Sequence, residues 1–260
     1  MTLTDAELEQ FKAQGFLRLS AFADFGLCDT IKDIASAHLK HKVPPIETEF
    51  EYVRKSKEER ERISDAHSEQ VEKRIVVRRL RQVYHRDIVF KQWMESPLLR
   101  PVLKQILGEV PTITIAHHNS IMTKMPYSST ATSWHQDFRY WHFENDNLVS
   151  VWLALDNEND KNGVLEFIPG SHKMTFLPEQ FDEKEYFIET QIDNKKMIAS
   201  KVSFELNKGD VVLFHCKLLH RANKNETDKP KISFVYTVKG CNNEARKDTR
   251  STEYDEIPLV

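Results

Sequence analysis

The sequence predicts a mainly β fold with flanking helices: a sandwich or barrel of short strands, preceded by a helical region. Three observations carry this. From Thr112 onward, short apolar runs rich in Val, Ile and Phe alternate with turn residues. Before that point, apolar residues recur at helical spacing instead. No internal repeat, low-complexity tract or convincing linker divides the 260 residues. The expectation is therefore one domain over 1–260, with a helical region at 1–108 and a β core at about 110–240.

In chain order, Thr4-Asp5-Ala6-Glu7 has the capping-box pattern that opens a helix, here through about residue 13, and Gly15 ends it. Phe16-Leu17-Arg18-Leu19 reads as a strand. Leu27, Ile31, Ile34, Ala35 and Leu39 share one face of a helix over 24–40, and Pro44-Pro45 stops regular structure. Residues 46–75 are the most charged part of the chain and read as a solvated segment or as a lid over a site. Residues 76–83 look strand-like and carry Arg78, Arg79 and Arg81. A broad apolar stripe makes 87–107 helical; Pro101 is expected to divide it in two and Gly108 to close it. Strands are then expected at 112–116, 121–123, 149–155, 164–168, 199–204, 211–214 and 232–238. Pro169-Gly170-Ser171-His172 and Asn207-Lys208-Gly209-Asp210 supply turns.

Composition removes several classes of function. A net charge of −3 argues against a general nucleic-acid or membrane-surface binder. No window approaches the roughly 20 apolar residues of a membrane span, and residues 1–5 carry no basic or apolar leader pattern. Cys28, Cys216 and Cys241 are odd in number and widely spaced, which fits reduced thiols in a cytoplasmic protein. Seven glycines and no Gly-x-Gly-x-x-Gly make a dinucleotide fold a poor match.

The chemistry concentrates in residues 133–141, Ser-Trp-His-Gln-Asp-Phe-Arg-Tyr-Trp. On a strand, His135 and Asp137 would point to one face, so an imidazole and a carboxylate could converge on one divalent metal. Gln136 would point away. A second histidine would complete the two-His-one-carboxylate set of non-haem iron sites. His215 and His220 both follow the strand at 211–214, and His220, 83 residues after Asp137, has the better context. Eleven residues further on, Lys231 and Ser233 share one face of a strand, a cation and a hydroxyl able to clamp a carboxylate. Arg139 joins the ligand face only if the strand continues that far. With Arg79 and Arg81 it hints at an anionic small-molecule substrate, against the plainer reading of surface charge. His172 reads as a turn residue, and His117, His118 and His142 carry no assigned role.

His135-Gln136-Asp137, the run from Asn162-Gly163-Val164-Leu165 to Pro169-Gly170-Ser171-His172, and Gly209-Asp210 leading to His220 together resemble the phytanoyl-CoA dioxygenase family over roughly residues 1–240. The resemblance implies a double-stranded β-helix core of the jelly-roll, cupin-like kind, and two cofactors, Fe(II) and 2-oxoglutarate. It implies His135, Asp137 and His220 as iron ligands and catalytic residues. Trp152 matches a tryptophan near the co-substrate, and Ser120 lies with His118 and Met122 on a strand expected to flank it. Two positions depart from the family pattern. Lys231 stands where most members have an arginine that binds the distal carboxylate of 2-oxoglutarate, so a point charge replaces a planar fork and Ser233 would share the contact. Ala222 stands where relatives often have a co-substrate-binding serine.

The function expected on these grounds is a dioxygenase that uses O2 to hydroxylate a small molecule and releases succinate and CO2. No nucleic acid or membrane partner is expected. Desaturation, ring closure or epimerisation would need the same cofactors. The reading from a different class is a β-helix binding module that keeps the metal ligands without oxidising anything.

Overall fold

A computed structural model describes residues 1–54 and 75–260. The charged stretch 46–75, read from the sequence as a solvated segment or a lid, falls mostly outside the described residues. Within them, the start of that stretch forms strand β2 (Ile46–Thr48) and helix α3 (Glu49–Arg54).

The helical region forms for the reasons written in its sequence. Helix α1 (Asp5–Gln14) begins with a capping box in which Thr4 and Glu7 satisfy each other's backbone N–H groups, and Gly15 ends it at φ 84°. Strand β1 (Phe16–Leu19) leads to α2 (Phe25–Lys40), capped by the Asp24 carboxylate. After strand β3 (Val77–Arg81) come α4 (Ile88–Met94) and α5 (Leu99–Leu107). The break between them falls at Glu95–Leu98, around Pro97, not at Pro101 as the sequence predicts. Pro101 lies in the first turn of α5, where a missing N–H costs nothing because that donor has no intrahelical acceptor.

The β core contains β4 (Pro111–Thr114), β5 (Ser120–Lys124), β6 (Thr132–His135), β7 (Leu148–Ala154), β8 (Leu165–Phe167), β9 (Val202–Ser203), β10 (Val211–His215), β11 (His220–Ala222), β12 (Lys231–Gly240) and β13 (Glu256–Pro258). The strand expected over 199–204 is reduced to β9, because a short helix, α6 (Ile192–Ile198), runs up to it.

Among the described residues the strands form two sheets. The larger runs β1-β10-β7-β12-β5-β3-β2, with β4 joining β12 and β13 joining β4; the smaller runs β6-β11-β8-β9. Every recorded pairing is antiparallel. Period-two alternation gives the large sheet two different faces. On one face Val149, Val151, Leu153, Phe234, Tyr236 and Val238 pack under the helices against Ile31, Phe90, Trp93 and Leu103. On the other, Trp152, Ala154, Val212, Phe214 and Val235 meet Leu165, Phe167 and Ala222 of the small sheet. The two sheets therefore face each other, as in the double-stranded β-helix expected from the sequence, and the polar residues between them line a cavity.

Candidate metal centre and its pocket

The two histidines of the candidate metal centre come from the small sheet, and its carboxylate follows directly after it. His220 opens β11 and is the register partner of His135 at the end of β6. Strand β6 stops at His135, and Asp137 begins a single 3-10 turn, Asp137–Tyr140. The alternation expected to align His135 with Asp137 is thus replaced by a turn, which brings the carboxylate back over the same spot. Two ties to the loop after β10 hold that turn: Phe138 N–H donates to the Cys216 carbonyl at 3.0 Å, and the Gln136 amide donates to the Lys217 carbonyl.

His135, Asp137 and His220 each offer one ligand atom, all within 4.8 Å of one another. Asp137 Oδ1 lies 3.5 Å from His135 Nε2 and 3.8 Å from His220 Nε2. His135 Nδ1 lies 2.8 Å from the Ser133 carbonyl, and His220 Nδ1 lies 3.0 Å from the Leu218 carbonyl. A carbonyl only accepts, so each Nδ1 carries the hydrogen and each Nε2 keeps its lone pair. Two imidazole lone pairs and a carboxylate oxygen then converge on one point. A divalent cation is the group that satisfies all three, and a nitrogen-nitrogen-oxygen set suits iron(II).

Electrostatics fit the same role. Burial, with His135 close by, pushes the His220 imidazole down to about 4, so it is neutral and able to ligate at ordinary pH. Burial alone would raise the Asp137 carboxyl; the neighbouring imidazoles of His118 and His220, with a hydrogen bond from His118, outweigh it and hold the group well below the usual range. His118, given no role by the sequence, is the nearest support. Its Nε2 lies 3.3 Å from Asp137 Oδ1 and its Nδ1 3.2 Å from Ser150 Oγ, which in turn lies 3.3 Å from Asp137 Oδ2. Its backbone is left-handed, at φ 40°, which no local pattern announces.

His215, the other candidate from the sequence, lies elsewhere. Its ring packs 5.1 Å from that of His172, and its Nδ1 accepts from Lys217 N–H at 3.1 Å. His172 is buried in the turn after β8, with its Nε2 3.2 Å from the Lys12 carbonyl. His117 is buried against Ser251, 2.8 Å from its hydroxyl.

The cavity beside the metal ligands, about 160 Å³, is walled by Met122 and Lys124 of β5, Trp152, Phe214, Val235 and the small-sheet residues Leu165 and Ala222. Lys231 and Ser233 share a face of β12 as expected, but both meet an internal carboxylate. Lys231 Nζ donates to Glu158 Oε2 at 2.9 Å and to the Gly163 carbonyl at 2.7 Å. Ser233 Oγ donates to Glu158 Oε1 at 2.6 Å, and Trp152 Nε1 donates to the same oxygen at 3.1 Å. Glu158 is 1% exposed, and no pattern in the Asn-rich turn that carries it marks it as a site residue. Ser120 is buried on β5 but does not line the cavity; Met122 and Lys124, on its face of the strand, do.

The arginines named from the sequence divide. Arg79 and Arg81 line the cavity, Arg79 paired with Glu47 at 2.5 Å, and Arg250 of the C-terminal segment joins them. Arg139 is drawn away because the 3-10 turn breaks the strand parity: it pairs with Glu185 and its guanidinium lies 3.7 Å from the Phe181 ring centroid. Arg78 is 1% exposed and bonds Glu49, Thr130 and Thr132, so it ties segments together. Among the described residues no helix is long and apolar enough to cross a membrane.

Comparison with known proteins agrees with this geometry. The chain is 28% identical over 149 residues to a probable phytanoyl-CoA dioxygenase of Caenorhabditis elegans, covering 55% of this chain and 48% of that protein. It is 31% identical over 136 residues to the peroxisomal phytanoyl-CoA dioxygenase of Homo sapiens, covering 48% and 40%. It is 26% identical over 197 residues to the ectoine dioxygenase of Halomonas elongata, covering 68% and 55%. The chain thus spans about half the length of these relatives. The iron-bound structure of EctD from S. alaskensis shares the fold with a TM-score of 0.70 at 18% identity, over 99% of this chain and 89% of that one. The epimerase SnoN from nogalamycin biosynthesis does so with a TM-score of 0.73 at 16% identity, over 96% and 91%. The phytanoyl-CoA dioxygenase (PhyH) family model matches residues 11–233, and the chain belongs to that family.

Proposed function

We propose that the protein is an iron(II)- and 2-oxoglutarate-dependent dioxygenase that hydroxylates a small molecule, with residues 1–260 acting as one catalytic unit. The observation that carries this is the convergence of His135 Nε2, Asp137 Oδ1 and His220 Nε2, the three groups that would hold iron(II) as a two-His-one-carboxylate set. Bound iron(II) with 2-oxoglutarate supplies oxidative decarboxylation of the 2-oxo acid, coupled to attack on an unactivated C–H bond.

The chain's own residues hold, orient and exclude. The Ser133 and Leu218 carbonyls fix the tautomers of the two ligating histidines, and His118 and Ser150 keep Asp137 ionised and in place. Trp152, Phe214, Leu165 and Val235 give the cavity dry walls, which limit side reactions with water. Arg79, Arg81 and Arg250 line the cavity together, which supports a substrate carrying an acidic group. The ectoine dioxygenase and the probable alpha-ketoglutarate-dependent hypophosphite dioxygenase of Stutzerimonas stutzeri, 28% identical over 138 residues, support a small substrate. We place the protein in the cytoplasm, supported by Cys28, Cys216 and Cys241 all being free thiols.

The test is succinate release from 2-oxoglutarate by the iron(II)-loaded protein in air, with a screen of small acidic metabolites as substrates. Turnover that disappears in His135→Ala is expected. No succinate with any substrate, together with no iron(II) binding, would overturn the assignment in favour of a non-oxidising module.

A further inference from the structure

The residue that matches the family's co-substrate anchor is already engaged. Lys231 is 3% exposed, and its ammonium is shared between Glu158 and the Gly163 carbonyl; Ser233 and Trp152 also spend their donors on Glu158. A carboxylate thus sits inside the clamp, covalently part of the chain. The turn that brings it there is tight: Gly163 has φ 84°, and a Cβ on it would lie 2.4 Å from the Asn223 carbonyl oxygen. An incoming carboxylate at Lys231 would have to displace Glu158 and leave it buried without its cation, which is costly.

One strand away lies a second buried lysine. Lys124 of β5 is the register partner of Lys231, so its side chain leaves the sheet on the same face, about 4.8 Å across. Lys124 is 6% exposed, lines the cavity, and donates to two neutral acceptors, the Thr130 carbonyl at 2.7 Å and the Ala222 carbonyl at 3.4 Å. Among the described residues no carboxylate pairs with it. Ala222 is two residues beyond His220 on β11, so its carbonyl ties the Lys124 amine to the strand that carries one of the metal-ligating histidines.

We propose that Lys124, not Lys231, receives the distal carboxylate of the 2-oxo dicarboxylate, and that Glu158 serves as a permanent internal partner for Lys231. This rests on the dioxygenase reading above. A buried ammonium with only carbonyl partners is costly until an anion joins it, so a bound dicarboxylate both gains and confers stability. Burial first, then Arg78 and Lys231, outweigh Glu49 and push the Lys124 amine down to about 6, so the amine takes up its proton as the dicarboxylate binds. The anchor moves by one strand spacing and stays at the same level along the sheet, so the 2-oxo acid end can still reach the metal ligands.

The experiment is calorimetric titration of the full chain, loaded with Mn(II), with 2-oxoglutarate and with 2-oxobutyrate, which has the 2-oxo acid but no distal carboxylate. Wild type should prefer 2-oxoglutarate by about tenfold or more, as expected for a charge-assisted contact. Lys124→Met should abolish that preference while leaving Mn(II) and 2-oxobutyrate affinity within about twofold. Lys124→Gln, which keeps a donor for the two carbonyls, should do the same, and it stands in if the methionine variant does not fold. Replacing the buried pair together, Lys231→Met with Glu158→Leu, should leave 2-oxoglutarate affinity within about threefold. If Lys124→Met and Lys124→Gln keep the preference, or the double variant loses it, the assignment to Lys124 is wrong while the dioxygenase reading stands. If Mn(II)-loaded wild type binds neither compound, the co-substrate reading fails and the anchor falls with it.

Discussion

His135 and His220 are register partners on adjacent antiparallel strands, β6 and β11, with ring centroids 4.2 Å apart. Two residues 85 positions apart in sequence are thereby held as near neighbours by backbone hydrogen bonds, not by a flexible loop. The centre is consequently preformed, and its ligands need no rearrangement to meet a metal ion.

Because Asp137 leans on His118, removing that imidazole should loosen the centre without removing a ligand. His118→Ala is expected to weaken Mn(II) binding by about 10- to 100-fold, the usual range for loss of a group that orients a ligand. Titration calorimetry with wild type beside the variant checks this; unchanged affinity would show that Asp137 is held by Ser150 and its backbone turn alone.

The Lys124 amine predicts a direction for stability against pH. Its folded value is about 6 and its ordinary value 10.5, so between these the unfolded chain binds a proton that the folded chain does not. Stability should therefore rise with pH across that window, at up to about 1.4 kcal/mol per pH unit from this group. Below about pH 6 both states are protonated and the penalty is constant. Urea unfolding at pH 7 and pH 9 should show a smaller gain for Lys124→Met than for wild type; equal gains would mean the lysine is charged in the folded protein.

Phe234 tests how the helical layer is held. It is fully buried on the helix-facing side of β12, with its ring edge-on to Phe90 at 5.6 Å. Phe234→Ala should cost about 3–5 kcal/mol of stability, seen as a lowered denaturation midpoint. A loss below about 1 kcal/mol would mean that α4 relaxes into the space.

Gly163 tests the turn that delivers Glu158. Its left-handed φ of 84° and the 2.4 Å approach of the Asn223 carbonyl both penalise a side chain. Gly163→Ala should destabilise the fold by about 1–2 kcal/mol or more, and a variant as stable as wild type would show that the turn shifts freely. The same thermal or urea melts report it.

Much of this was legible in the chain itself, wherever the cause is local. Capping at Thr4 and Gly15, the stripe on α2, and the alternation of β7 and β12 depend on residues within a turn or a strand of one another. The ligand set was readable because His135, Asp137 and His220 stand in an ordered series of motifs, although their alignment comes from a strand end and a 3-10 turn instead of one continuous strand. Strand parity puts Lys231 and Ser233 on one face of β12, as found, but it gives no sign of Glu158 between them or of Lys124 on the neighbouring strand. What parity cannot carry is the identity of the partner across a sheet. Glu158 reaches Lys231 over 73 residues of chain, and Glu185 draws Arg139 away over 46. Which cation is neutralised and which remains for a ligand depends on burial and on distances that exist only after the two sheets have closed, since a charge far off in sequence acts strongly only when folding brings it near and removes the water between.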